Sequence, residues 1–171
     1  LFNKNKLKAD LQKESTIQFS CLMLLDIDNL SEINLKHGTE YGDALLKNLA
    51  EELEKRFSMR QIYHTEKDRF VVLLNLASSK EAEKVFEELK TALSSKCSIS
   101  ASVVPNDREV YVNVDNIYEY AVQILNQSKK NSIGNIAFFS KESIIEKIST
   151  VELLEELEES IKKKCDGFYL A

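Results

Sequence analysis

Apolar and polar positions fall into blocks along the chain. Residues 19–25, Phe19-Ser20-Cys21-Leu22-Met23-Leu24-Leu25, form an almost unbroken apolar run that stops at Asp26-Ile27-Asp28. A short apolar run ended by carboxylates predicts a buried strand whose end meets a site. Leu45, Leu46, Leu49, Ala50, Leu53 and Phe57 recur at helical spacing and predict one helix over about residues 40–57. Two strand-like runs, 61–64 and 70–76, flank Thr65-Glu66-Lys67-Asp68-Arg69 and predict a hairpin. Ser78 with Glu81 resembles a capping box, opening a helix with Ala82, Val85, Phe86, Leu89 and Leu93 on one face. Residues 97–104 read as a strand stopped by Pro105-Asn106-Asp107. Ile117, Ala121, Ile124, Leu125 and Ser128 fit a further helix, and residues 135–139 a last strand. At the start, residues 1–18 are rich in Lys and carry Leu7 and Leu11 at helical spacing, which predicts a short amphipathic helix.

The order strand, helix, hairpin, helix, strand, helix, strand predicts an α+β fold, a ferredoxin-like sheet of about five strands flanked by helices. The tail differs in character. Ser149 and Glu152 suggest a capping box, and Val151, Leu154, Leu157 and Ile161 form an apolar stripe. Early Glu and the late run Lys162-Lys163-Lys164 suit the helix dipole, and Gly167 ends the pattern before Phe168-Tyr169-Leu170-Ala171. Residues 1–140 therefore read as one domain, and residues 141–171 as a linker helix leading into the start of another.

With 171 residues the first domain can bury a core without staples. A net charge of −5 excludes a basic surface for duplex nucleic acid. Cys21, Cys97 and Cys165 lack metal-ligand spacing; the first two lie in apolar runs, as small core residues of a protein kept reduced. No apolar run reaches the length of a membrane span and no signal peptide is visible, so the fragment itself is expected in the cytoplasm without membrane contact. The chain does not begin with Met, which suggests a piece of a longer protein that could itself be membrane-anchored.

Three separated segments carry a resemblance. The run from Leu25 through Asp26, Ile27, Asp28 and Asn34, then His37-Gly38 and Tyr41-Gly42-Asp43, is similar to the pattern "LDIDxFKxIN…YGHxxGDxxL" of GGDEF domains. Leu1-Phe2-Asn3 resembles the end of that family's "LTGLPNR", and Thr65-Glu66-Lys67-Asp68-Arg69-Phe70 falls where the family has "LGGDEF". Lys129 falls on the Lys of "AKxxGRN". Residues 1–140 thus resemble a nucleotide-cyclase-like GGDEF domain, and residues 153–171 the opening of an EAL phosphodiesterase domain. A GGDEF–EAL tandem is the implied parent.

The resemblance implies chemistry. Two GGDEF protomers each hold one GTP, and the 3′-hydroxyl of each attacks the α-phosphate of the other, releasing pyrophosphate. Metal ions neutralise the charge and activate the hydroxyl. Asp26 and Asp68, with the Ile27 carbonyl, match the positions that hold Mg²⁺ or Mn²⁺. Asn34 and Asp43 match positions that contact guanine: a carboxylate accepts from the guanine edge, and an amide donates and accepts. Their plainer reading is helix-end capping.

At the reacting end the signature is degenerate. Its glycines are replaced by Glu66 and Lys67, which cannot give phosphate the close backbone approach that glycine allows. Glu66 adds a charge that repels polyphosphate. Arg69 replaces the acidic fourth position, with Phe70 following, and Ile133 stands at the Arg of "GRN", so a phosphate clamp is lost. Lys129 remains, with the plainer reading of one Lys in a solvated Lys-Lys pair. Phe57-Ser58-Met59-Arg60 stands where the product-inhibition motif "RxxD" belongs. Only Asp68 survives as a residual catalytic group. These residues suggest a GTP-binding regulatory module for an adjacent EAL domain. The rivals are a weakly active diguanylate cyclase and a structural module that only forms a homodimer. GTP binding separates the last from the others, and product formation separates the cyclase.

Overall fold

The computed structural model describes residues 1–12, 18–66, 68–106 and 116–140. Lys67, Cys165 and the whole predicted tail from 141 to 171 lie outside the described residues. The chain begins with a two-residue strand, β1 (Phe2–Asn3), and a helix, α1 (Lys4–Gln12). Then come β2 (Cys21–Ile27), α2 (Leu30–His37) and α3 (Thr39–Arg56). The hairpin is β3 (Ile62–Glu66) and β4 (Arg69–Leu74), followed by α4 (Ser79–Leu93). β5 (Ile99–Pro105), α5 (Asn116–Asn131) and β6 (Ile136–Phe138) complete Leu1–Phe139, which packs as one unit.

The α+β architecture is as the pattern predicts, with three corrections. The sheet has six strands rather than about five, in the order β1-β3-β4-β2-β5-β6. The extra strand is β1, parallel to β3, inside the segment read as helix from its first residue. Two residues give no period, so periodicity could not find it. The second correction is α2, absent from the sequence reading because its single buried residue, Leu30, leaves no apolar stripe. The third is the capping box at α4: Ser78 makes no side-chain cap, and Glu81 Oε2 instead accepts from the Ala77 N–H at 2.9 Å.

Side-chain parity explains how the sheet builds two cores. β2 lies between β4 and β5, antiparallel to both, and is buried throughout. Cys21, Met23, Leu25 and Ile27 point to one face, where α3 and α4 supply Leu45, Leu49, Leu53, Phe86 and Leu89. Leu22 and Leu24 point to the other, with Val71 and Leu73 of β4, Leu7 and Leu11 of α1, and Ile117, Ala121 and Leu125 of α5. Helices on both faces make a continuous apolar strand rather than an alternating one. Cys21 is buried in the first core and Cys97 packs against its edge; both are free thiols. Burial raises the pKa of each, so they stay protonated. Among the described residues, no helix is long and apolar enough to cross a membrane.

Candidate nucleotide-binding site

The same parity decides what happens where the apolar run of β2 ends. Asp26 and Asp28 continue the face of Leu22 and Leu24, so both turn toward α5. Arg69 continues the face of Val71 and Leu73 and pairs directly with Asp26 across the ladder. Ile117, Ala121 and Leu125 mark every fourth residue of α5, and the next in that row is Lys129. A stripe that is apolar for three turns thus delivers an ammonium to the two carboxylates.

The result is a partly buried ionic cluster. Lys129 Nζ lies 2.8 Å from Asp26 Oδ1 and 3.0 Å from Asp28 Oδ1. Arg69 Nε lies 3.5 Å from Asp26 Oδ2. Its Nη1 donates to Glu66 Oε2 at 2.7 Å, and its Nη2 to Asn126 Oδ1 at 3.3 Å. Glu66 Oε1 accepts from Lys4 Nζ at 3.1 Å, and that ammonium lies 4.8 Å from the Tyr118 ring centroid. Asp28, with a fully buried side chain, accepts from Ser98 Oγ and Ser100 Oγ at 2.7 Å each, and from the Gly134 N–H at 3.0 Å. Gly134 has φ 74°, which suits a residue without Cβ.

Charge and burial compete here. Burial pushes the Asp26 carboxyl above the ordinary carboxylate value; Lys129 and Arg69 pull it back and nearby Asp68 pushes it further up. Burial opposes the charge on Arg69, but Glu66, Asp26 and Asp68 together hold its pKa above the usual value. Burial also works against ionised Glu66, yet Lys4 and Arg69 outweigh it and lower its pKa.

Asp68 sits in the turn between β3 and β4 and Ile27 pairs with Ile99, so both lie near Asp26. A divalent cation needs several unengaged oxygens close together. Each Asp26 oxygen instead faces a cation of the protein, and Asp28 is taken up by its own donors. Among the described residues no three His, Cys, Asp or Glu side chains are arranged so that they could hold a metal ion. This donor set does not fit Mg²⁺ or Mn²⁺.

The second part of the site lies between α2 and α3. Asn34 Oδ1 is buried and, among the described residues, has no hydrogen-bond partner. It rests against Gly42, where an added Cβ would come within 1.8 Å. Asp43, the next residue, is exposed in the early part of α3. Asn34 therefore rests on α3 one residue before Asp43, and no helix cap is made by its side chain. Ile133 is 47% exposed beside Gly134, and Phe70 is a core residue stacked on His64 at 4.6 Å between centroids. Lys129 is not a solvated lysine. Sequence reasoning named Asp28 without giving it a role and missed Ser98, Ser100, Asn126 and Lys4; the alternation of Ser98 and Ser100 with Ile99 and Ala101 was the available signal for a polar face.

The description "Diguanylate cyclase, GGDEF domain" matches residues 1–134. The chain belongs to the GGDEF family. GGDEF domains bind GTP, and the diguanylate cyclases among them use Mg²⁺ with it, so this GGDEF domain is one of cyclic di-GMP signalling. A Pseudomonas aeruginosa protein named cyclic di-GMP phosphodiesterase NbdA is 26% identical over 153 residues, 82% of this chain. The chain spans only 19% of that relative. The active GGEEF domain of a diguanylate cyclase from Vibrio cholerae superposes with a TM-score of 0.68 at 21% identity, covering 82% of this chain and 98% of that one. The GGDEF domain of YfiN (TpbB) from Pseudomonas aeruginosa gives 0.70 at 18% identity, covering 82% and 97%. An EAL/GGDEF domain protein from M. capsulatus gives 0.64 at 22%, covering 79% and 94%. At these identities the likeness is one of fold.

Proposed function

We propose that this GGDEF domain binds GTP as a regulatory module and does not make cyclic di-GMP. The observation that carries the reading is Arg69. It stands at the signature's acidic position and turns into Asp26 and Glu66, which makes the reacting end a closed set of ion pairs. Losing one group that stabilises transferring charge costs about 2.7–4 kcal/mol of barrier, by analogy with oxyanion-hole deletions. One such loss removes about a hundredfold in rate, and Glu66, Arg69 and Ile133 are three departures at that end. At the other end Asn34 keeps an unpaired buried acceptor beside Asp43, which suits the amino and imino groups of guanine.

Residues 1–140 form the GGDEF domain in this reading, and residues 141–171 lead into an EAL domain whose activity GTP modulates. Support comes from the phosphodiesterase name of NbdA and from EAL/GGDEF proteins among the structural neighbours. GTP as effector places the module in the cytoplasm. Incubation with GTP and Mg²⁺ or Mn²⁺, at concentrations that allow two protomers to pair, should yield no cyclic di-GMP above background by chromatography. Turnover that Asp68→Ala eliminates would establish a weak cyclase instead. No response to GTP at millimolar concentration would leave a structural dimerisation module.

A further inference from the structure

Building on the GTP-binding reading, we infer that this site holds its guanine nucleotide without a divalent cation, because Arg69 and Lys129 stand where the cation would be. Three observations meet at Asp26. Its two oxygens face two protein cations, Lys129 at 2.8 Å and Arg69 at 3.5 Å. Both cations are held from behind: Lys129 by Asp28, and Arg69 by Glu66 and Asn126. Lys129 is on the row of α5 that faces the sheet and Arg69 on a ladder position opposite Asp26, so both side chains start from packed elements beside the carboxylate. A metal ion arriving at Asp26 would meet two positive groups at contact distance. It would also have to displace at least one of them from a low-dielectric setting, where like charges repel strongly.

Charge on this surface is already nearly balanced. Asp26, Asp28, Glu66 and Asp68 oppose Lys4, Arg69 and Lys129. A bound triphosphate gains little there, and the discriminating contact moves to the base, at the unpaired Asn34 oxygen and Asp43. Affinity for GTP should therefore not depend on Mg²⁺, whereas a site organised around a metal–triphosphate complex loses its ligand when the metal is removed.

Calorimetric titration of GTP into the protein, once in EDTA and once in excess Mg²⁺, tests this directly. Dissociation constants within about threefold of each other are expected; tenfold or greater weakening in EDTA would overturn the inference while leaving the GTP-binding reading intact. Absence of binding in both conditions would end both. A second measurement uses Mn²⁺ alone, read by water proton relaxation. The wild-type protein should leave Mn²⁺ free at millimolar concentration, and Arg69→Glu, which removes one cation and adds a carboxylate beside Asp26, should bind it. Mn²⁺ bound by the wild type, and no more tightly by the variant, would also overturn the inference.

Discussion

Lys129 bridges the two carboxylates at the end of β2. Removing it leaves Asp26 with Arg69 alone, at 3.5 Å, and Asp28 with neutral donors only. Lys129→Met should destabilise the domain by about 3 kcal/mol at neutral pH, since breaking a buried pair strands the partner charge. The pH dependence has a definite sign. Asp26 already has a raised pKa, from burial first, and loss of the ammonium raises it further. An acid with a raised folded pKa favours the folded state below its unfolded value and ceases to do so as pH rises through the folded one. The deficit of the variant should therefore narrow on acidification toward about pH 4, the ordinary carboxylate range. Urea denaturation across that range gives the answer, and a pH-independent deficit would argue against the assignment. A second buried pair behaves alike: Tyr63 Oη donates to Asp10 Oδ2 at 2.9 Å, and burial with Asp10 beside it raises the Tyr63 pKa. Tyr63→Phe should cost about 1 kcal/mol by thermal unfolding, at the low end for a lost buried hydrogen bond, because Asp10 keeps Lys6 at 2.7 Å.

At the scale of elements, the contact between α2 and α3 at Asn34 and Gly42 bears on ligand recognition. Gly42 is helical, so alanine there should gain up to about 1 kcal/mol of helix propensity. Yet its Cβ would land 1.8 Å from Asn34 Oδ1 and force that amide out of its seat. The propensity gain offsets part of that displacement, so Gly42→Ala should still fold while losing GTP affinity by tenfold or more; unchanged affinity would show that Asn34 does not meet the base. Asn34 and Asp43 were placed in sequence through the resemblance to the family's motif, not through helical spacing. α2 itself was not legible, since a helix with one buried residue carries no periodic signal. β2 and β4 were legible because their apolar runs are nearly unbroken; β3 was placed by its position before the hairpin turn. Lys129 was read by analogy alone, although the row Ile117, Ala121, Leu125 already pointed to it: a lysine on the next turn of an apolar stripe must find a buried anion or leave the face.

For the whole molecule, the sheet brings together ends of β2, β3, β4 and β5 that lie far apart in sequence, and pattern reasoning placed all four strands without fixing their neighbours. Strand order and the edge strand β1 came from three-dimensional pairing, for which short runs of residues hold no code. If the domain regulates an EAL partner, GTP should change cyclic di-GMP hydrolysis by the full-length protein by about fivefold, the lower end of usual coupling. Gly42→Ala should abolish that response, and a response surviving the substitution would place the effector elsewhere. The ionic cluster has one more consequence, for folding fidelity. Side chains alternate with a period of two, so β2 paired one residue out of step would turn Asp26 and Asp28 into the all-apolar layer of Phe86, Leu89 and Leu53. Lys129 would then face aliphatic groups in place of the two carboxylates that hold it. A misaligned sheet would bury two unpaired carboxylates at once, whereas a purely apolar β2 would tolerate the slip. The charges that close the reacting end thereby also act as a check on alignment, rejecting wrong pairings while the sheet assembles.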